Sequence, residues 1–314
     1  MTQSAGIQRH SDARAVTGYG HRAYAASLAE FGAPRHLQHC DGWILERAIP
    51  GTTDRDAMGC YPLFVCRDWT RLAADLDEIG TDLVSLTLVT DPFGDYEGAD
   101  LKACFERVVH FKDHYVADLR LPRDKIVKRS HRATVRRALR KVEVRMCPEP
   151  LQFLEKWIEL FAVLAKKHAI HGLRAFSRVA FAKQLRVPGM VMFEASAQGT
   201  TVGLDLWYIQ GDVAYGHLVA FSELGYELRA SYATKWNVLA YFSDKVRWID
   251  FGAGAGFKNQ SDGLTTFKQG WSTETRPVYL CGRVFRPRLY DQLTSACGLS
   301  ETEYFPAYRH GEFT

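Results

Sequence analysis

The sequence predicts an α+β fold, and three observations carry that expectation. Leu154, Trp157, Ile158, Phe161, Leu164 and Ala165 recur at three- and four-residue spacing, which marks an amphipathic helix, and a shorter helix is expected at Ser177–Leu185. Three strand-like runs follow at hairpin spacing, Met190–Ala195, Thr201–Ile209 and Val213–Phe221, separated by Gln198-Gly199 and Gln210-Gly211. A helix over Arg229–Ser243 then leads into the apolar strand Arg247–Phe251, so an antiparallel meander is followed by one crossover.

The first half reads less regularly. Residues 1–21 are polar and lack sustained periodicity, which predicts a mobile segment. Strands are expected at Gly42–Ile49, Tyr61–Arg67, Leu83–Thr90 and Tyr115–Leu121, and a helix at Thr70–Ile79 whose Leu72, Leu76 and Ile79 share a face. Arg123–Val142 reads as one helix with an apolar stripe of Val127, Val135, Ala138 and Val142. Its second face carries Lys125, Arg129, Arg132, Arg136 and Arg140. Pro148 and Pro150 mark a junction, which divides the chain into residues 22–147 and 148–314.

Composition limits the possible classes. With 314 residues, 46% apolar and 24% charged, the chain has the make-up of a globular protein with one large core or two modest ones. Its apolar runs fall well short of the roughly 18 residues that span a bilayer, and the first residues lack a secretory core, so a cytoplasmic protein is expected. The seven scattered cysteines form no CxxC, which argues against a disulfide framework or a zinc site. His36–Cys40 and the His110/His114 pair lack a third ligand at known spacing, and no metal is expected.

Charge is unevenly distributed. Between Leu119 and Met146 eleven Lys or Arg face only Asp124 and Glu143, although the whole chain is at +4. The commonest fate of a charge run is a solvated face, but such faces mix signs. A nearly pure basic one suits a polyanion, and Lys128, Arg129, Arg132, Arg136, Arg137, Arg140 and Lys141 are the candidate nucleic-acid contacts. Anionic lipid-linked acceptors would use the same patch.

The local motifs resemble the FemAB-like branch of the GNAT acyltransferase superfamily. They are Tyr215–Ser222, Tyr232 to Trp236, Asp250-Phe251-Gly252 and Phe267-Lys268-Gln269-Gly270-Trp271, preceded by the Arg-rich segment. The resemblance spans Tyr115 to Arg288 and implies two tandem GNAT-like lobes with mixed, mainly antiparallel sheets, the first lobe degenerate and ending in the basic helix. It implies transfer of an aminoacyl group from aminoacyl-tRNA to an amine acceptor such as a peptide, natural product or cell-wall precursor. An acyl-CoA-dependent N-acyltransferase on the same fold is the alternative, and a non-catalytic nucleic-acid-binding module is a second one. Where an acetyl-CoA enzyme would cradle a diphosphate with free backbone amides, this chain has Ser222-Glu223-Leu224-Gly225-Tyr226-Glu227, with two carboxylates and one glycine.

Candidate site residues follow. The resemblance places Lys268 beside the substrate as the cation that stabilises a tetrahedral oxyanion, with Phe267 packing its stem. Asp250, at a strand end, is a candidate proton acceptor or a ligand for loop N–H groups, and Tyr215 a candidate donor. Tyr215, His217 and Val219 alternate onto one strand face. Asp205 within an apolar strand is a candidate for orienting the acceptor amine or faces water, while Tyr232, Trp236 and Trp271 serve either substrate or core. Gly252, Gly254 and Gly256 lack the GxGxxG register, and FKNQSDGLTTFKQ reads as non-helical, so no dinucleotide cofactor is expected. Without a GxSxG elbow or a Cys-His motif, direct attack with no covalent enzyme intermediate is the expected chemistry.

Overall fold

The computed structural model describes residues 15–168, 170, 172, 175–254, 263–298 and 302–312. Its strands are β1 (Ala33–Leu37), β2 (Gly42–Ala48), β3 (Arg55–Gly59), β4 (Ser85–Val89), β5 (Arg107–Asp118), β6 (Glu143–Cys147), β7 (Met190–Ala197), β8 (Thr200–Gln210), β9 (Val213–Phe221), β10 (Trp248–Asp250) and β11 (Glu274–Val284). The helices are α1 (Arg22–Ser27), α2 (Leu72–Ile79), α3 (Gly98–Cys104), α4 (Arg123–Ile126), α5 (Arg129–Ala138), α6 (Leu154–His168), α7 (Arg178–Gln184), α8 (Glu223–Glu227), α9 (Ala230–Phe242), α10 (Gly263–Gln269) and α11 (Pro287–Ala296).

All of these strands join one sheet in the order β1-β2-β3-β4-β11-β5-β10-β9-β8-β7-β6. Only β3 with β4 and β9 with β10 run parallel; the other neighbours are antiparallel. The meander β7-β8-β9, the crossover helix α9 and the return strand β10 match the sequence expectation. Elements cross between the halves, however: β6 pairs with β7, while β11 is inserted between β4 and β5. A cut at 148 would part β6 from its sheet partner.

Three apolar layers hold the sheet. In the N-terminal half, Leu72, Leu76 and Ile79 of α2 and Leu101 of α3 pack on Ile44, Leu86 and Leu88. In the C-terminal half, α6 and α7 cover one face through Trp157, Phe161 and Phe181, and α5 and α9 cover the other through Val135, Val238, Leu239 and Phe242. Burying a side chain of this size contributes about 1.5–3 kcal/mol each before entropy is subtracted.

Several expectations are corrected. Residues 17–21 of the segment expected to be mobile are packed: Gly18 N–H bonds Pro188 O at 2.9 Å, Thr17 Oγ1 donates to Ile209 O at 2.7 Å, and Tyr19 is buried. Residues 1–14 lie outside the described ones. Tyr61–Arg67 makes one bridge, Phe64 to Thr90, instead of a strand; Pro62 has no N–H to give a ladder. The basic helix breaks into α4 and α5 because Val127 and Lys128 turn extended, and the Lys128 N–H leaves the helical ladder for Gly270 O at 3.0 Å. Residues 263–269, expected to be non-helical, form α10.

Candidate active site

The parallel pair β9–β10 is short. Val213, Ala214 and Tyr215 face Trp248, Ile249 and Asp250, after which β10 stops while β9 runs on to Phe221. The two strands therefore part beyond Tyr215 and Asp250, and the segment 251–254 lines the opening. At the same level β9 carries a bulge: Leu206 faces Leu218 and Trp207 faces Gly216, leaving His217 as the extra residue. The bulge shifts the alternation. Tyr215 and His217 both reach Tyr19, whereas Val219 packs with the opposite layer, so Val219 does not share their face.

Asp250 is buried and fully engaged. Its Oδ1 accepts the Gly252 N–H at 2.7 Å and its Oδ2 lies 2.7 Å from His114 Nδ1. Of its two expected roles, the contact with the loop N–H groups is made here. Across the opening, Lys268 on α10 donates from Nζ to Ala253 O at 2.6 Å, and Lys112 on β5 donates to Gly254 O at 3.2 Å. Gly252 adopts φ of 71°, and a Cβ there would stand 3.3 Å from Lys268 Nζ. Lys268 is thus held against the loop that ends the Asp250 strand.

Next to this loop lies a buried polar seam between the halves. Tyr215 donates its hydroxyl to Asp91, at 2.8 and 3.0 Å from the two carboxylate oxygens, and the Phe93 N–H is 2.9 Å from Oδ1. Among the described residues no Lys or Arg pairs with Asp91, and burial raises its carboxyl to about 6. Burial, with Asp91 alongside, also holds the Tyr215 phenol well above its ordinary value, so Tyr215 stays a neutral hydrogen-bond donor. His217 takes a hydrogen bond from Tyr19 at Nδ1 and gives one to Gln184 Oε1, each at 3.2 Å; burial drives its imidazole down to about 3. It stays neutral across the physiological range.

The remaining candidates separate. Asp205 is buried in an ion pair with Lys235 at 2.6 Å, the ammonium also resting 4.5 Å from the Trp207 ring centre. It neither faces water nor reaches the opening. Trp236 stacks under Arg123 at 4.6 Å. Tyr232, Phe267 and Trp271 meet around His131, with ring centres 5.0, 5.8 and 5.4 Å from the imidazole. His131 Nε2 donates to Phe267 O at 3.1 Å, and burial lowers its pKa and keeps it neutral for that role. Phe267 and Trp271 therefore anchor α10, and with it Lys268, to the start of α5.

Along α5 and its flanks, Lys128, Arg129, Arg136, Arg137, Arg140 and Lys141 are exposed and Arg132 is half-buried. Among the described residues, none of the seven pairs with a carboxylate. Elsewhere, His39, Asp75 and Glu78 bring ligand-type atoms within 4.8 Å, but Asp75 accepts the His39 and Cys40 N–H groups at 3.0 and 2.7 Å, which accounts for its burial without an ion. His110 and His114, weighed in the sequence as metal ligands and set aside, go to different carboxylates, Asp113 and Asp250.

Sequence reasoning missed Asp91 and His114. Asp91 follows β4 just before a proline, where an aspartate reads as a turn former. His114 had a signal: Lys112 and His114 precede Val116 at period two on β5, polar residues leading into a buried end.

Comparison with known proteins bears on the fold. Residues 129–268, from the first residue of α5 to Lys268, match the family described as Acetyltransferase (GNAT) domain. The chain is similar in structure to FemX, with 13% identity, 86% of this chain and 93% of that one covered, and a TM-score of 0.65. It is also similar to the C-terminal domain of a putative lysylphosphatidylglycerol synthetase from Agrobacterium fabrum, at 12% identity, 86% and 91% coverage and a TM-score of 0.61. For L-PGS from Bacillus licheniformis the values are 13%, 86% and 94%, and 0.56. No curated protein matches the sequence. The fold is GNAT-like and resembles the FemAB-like branch, and the likeness extends over the N-terminal half as well as the matched domain.

Proposed function

We propose that this chain is an acyltransferase that takes an aminoacyl group from aminoacyl-tRNA and joins it to an amine acceptor by direct attack. The observation that carries the donor choice is the α5 face: seven cations without carboxylate partners among the described residues, tied through Lys128 N–H and His131 to the helix bearing Lys268. Bound phosphates on that face would present an acylated end near the parted strands, since affinity of this kind is set by charge and shape rather than base sequence. The acceptor nitrogen attacks the ester carbonyl, the Lys268 ammonium takes the developing negative charge on oxygen, and the ribose oxygen leaves.

Two further points favour this donor over acyl-CoA. At Ser222–Glu227 three of the amides are already occupied: Ser222 N–H bonds Val202 O at 2.9 Å, Gly225 N–H bonds Ser222 Oγ at 3.1 Å, and Tyr226 N–H bonds Ser222 O at 3.0 Å. Glu223 and Glu227 add exposed negative charge beside them. One structural neighbour also bears a name that joins a lysyl group to phosphatidylglycerol, an aminoacyl rather than an acetyl product. The acyl-CoA reading keeps one support of its own, the match to a family described as an acetyltransferase domain.

The deciding experiment supplies total tRNA charged with radiolabelled amino acids and a panel of primary amines and peptides. Label transfer that is abolished by RNase treatment of the donor supports the proposal. Transfer that survives RNase, or micromolar CoA binding by calorimetry with turnover of acyl-CoA, overturns it.

A further inference from the structure

From the geometry of the β5–β10 junction we infer that His114 is the general base that removes the proton from the attacking nucleophile, with Asp250 as its positioning residue. The inference rests on the acyl-transfer reading and adds the proton acceptor that Lys268 cannot supply, because an ammonium has no lone pair to give.

Asp250 fixes the imidazole. Its Oδ2 lies 2.7 Å from His114 Nδ1, and an ionised carboxylate only accepts, so Nδ1 carries the hydrogen and Nε2 keeps its lone pair. The second Asp250 oxygen is committed to the Gly252 N–H, so the carboxylate cannot swing away from the ring. This is the base-plus-orienter arrangement by which imidazoles act in acyl transfer. Among the described residues Nε2 has no hydrogen-bond partner. The ring is nearly enclosed, with 12% of its side chain open.

Position supports the role. The next residue, Tyr115, is locked to the loop at the parted strands: its N–H bonds Gly252 O at 3.1 Å and its carbonyl accepts the Phe251 N–H at 2.9 Å. Lys268 holds the following residue of the same loop, Ala253. The base and the oxyanion cation are therefore both fixed to one stretch of five residues, 250–254. Groups set around the ring are Asp250 of β10, beside which Tyr215 of β9 lies, and Arg276 opposite on β11; Asp91 after β4 acts on it through its charge, and Lys112 and Asp113 flank it on its own strand.

The step balances. As the acceptor nitrogen forms its bond to the acyl carbon, its proton passes to His114 Nε2, and the carbonyl π electrons move onto the oxygen beside Lys268. Collapse breaks the bond to the ribose oxygen, and the imidazolium returns the proton to that leaving oxygen. No oxidant or further reactant is needed.

The test compares wild type, His114→Gln, His114→Ala and Asp91→Asn in the charged-tRNA assay, across pH and with and without free imidazole. His114→Gln should lose about 10²–10⁴-fold in turnover with donor affinity unchanged, and the acid limb of its kcat/KM profile should vanish. His114→Ala should regain activity with imidazole. Asp91→Asn should retain the acid limb, which separates His114 from the nearby carboxyl. A limb that persists in His114→Gln, or turnover within threefold of wild type, overturns the base assignment while leaving the transferase reading intact. If the wild type works only with acyl-CoA, the donor reading falls, and the same profile measured with that donor still decides the role of His114.

Discussion

Two buried carboxylates in this fold have opposite fates. Asp205, between β8 and α9, is matched by Lys235 at 2.6 Å and lies in the layer that holds the C-terminal half together. Asp91, at the seam between the halves, has among the described residues a phenol, a side-chain amide and a backbone N–H as partners. Burial raises the pKa of both, but only at Asp205 does an ammonium oppose it. Asp91 shares its neighbourhood with Tyr215, Asp250 and His114, the kind of setting in which perturbed carboxyls cluster at functional sites. The comparison sets a charge matched within the scaffold against one without a cationic partner among the described residues, beside the proposed site.

The comparison is easiest to break at the scaffold pair. Lys235→Met leaves Asp205 buried without its partner and should cost about 3–5 kcal/mol in urea unfolding, while adding Asp205→Leu should restore most of it. Equal losses in the single and double variants would mean that the pair is not a unit. The site should respond the other way. Lys268→Ala should lower turnover by about 10²–10³-fold, the worth of one oxyanion contact, and shift the unfolding midpoint little, because α10 is anchored by Phe267 and Trp271. A Lys268→Ala protein with wild-type turnover would remove the cation from the chemistry.

Asp91 sharpens the contrast through pH. Its carboxyl titrates near 3.8 when unfolded and at about 6 when folded. Between those values the folded state holds a proton that the unfolded state releases, so this group makes stability fall as pH rises through that window. The loss amounts to roughly 3 kcal/mol and is complete above about pH 6. Asp91→Asn keeps an oxygen that accepts from Tyr215 and should flatten that slope, leaving the variant as stable as wild type or more so at pH 8. Unfolding curves at pH 4, 5, 6 and 8 measure it; an unchanged slope would show that Asp91 is not the titrating group.

These residues also mark how far the sequence could be read. The meander was legible from its closely spaced apolar runs and glycine turns, and α6 from apolar residues at three- and four-residue spacing; α9 and β10, whose buried residues follow no single period, were legible by their place after the meander. The basic face was legible as composition, and Lys268 through a family motif. What was not legible depends on contacts far apart in the chain. Asp205 and Lys235 are 30 positions apart, Tyr215 and Asp91 are 124 apart, and His114 and Asp250 are 136 apart. The bulge at His217 shows the same limit locally, because a period-two reading has no means of registering one extra residue and so put Val219 on the wrong face. The break at Val127–Lys128 is set by Gly270, a residue that no helix pattern around 127 contains.

The smallest expected effect tests whether the site depends on the loop that Asp250 begins. Gly252 sits at φ of 71°, with Lys268 Nζ 3.3 Å from where a Cβ would be, and Gly51 sits at φ of 76° with nothing within 4 Å. Alanine at either position meets the same left-handed backbone cost of about 1–2 kcal/mol, so the two variants should lose similar stability. Only Gly252→Ala also pushes on the lysine. Displacing a group by as little as an ångström can cost on the order of 10²-fold in rate, and a contact this slight should cost about tenfold in turnover with donor affinity unchanged. Gly51→Ala should turn over as wild type does. Equal activity in the two variants would mean that Lys268 is not held in place by the 250–254 loop, and the line drawn between scaffold and site would have to move away from it.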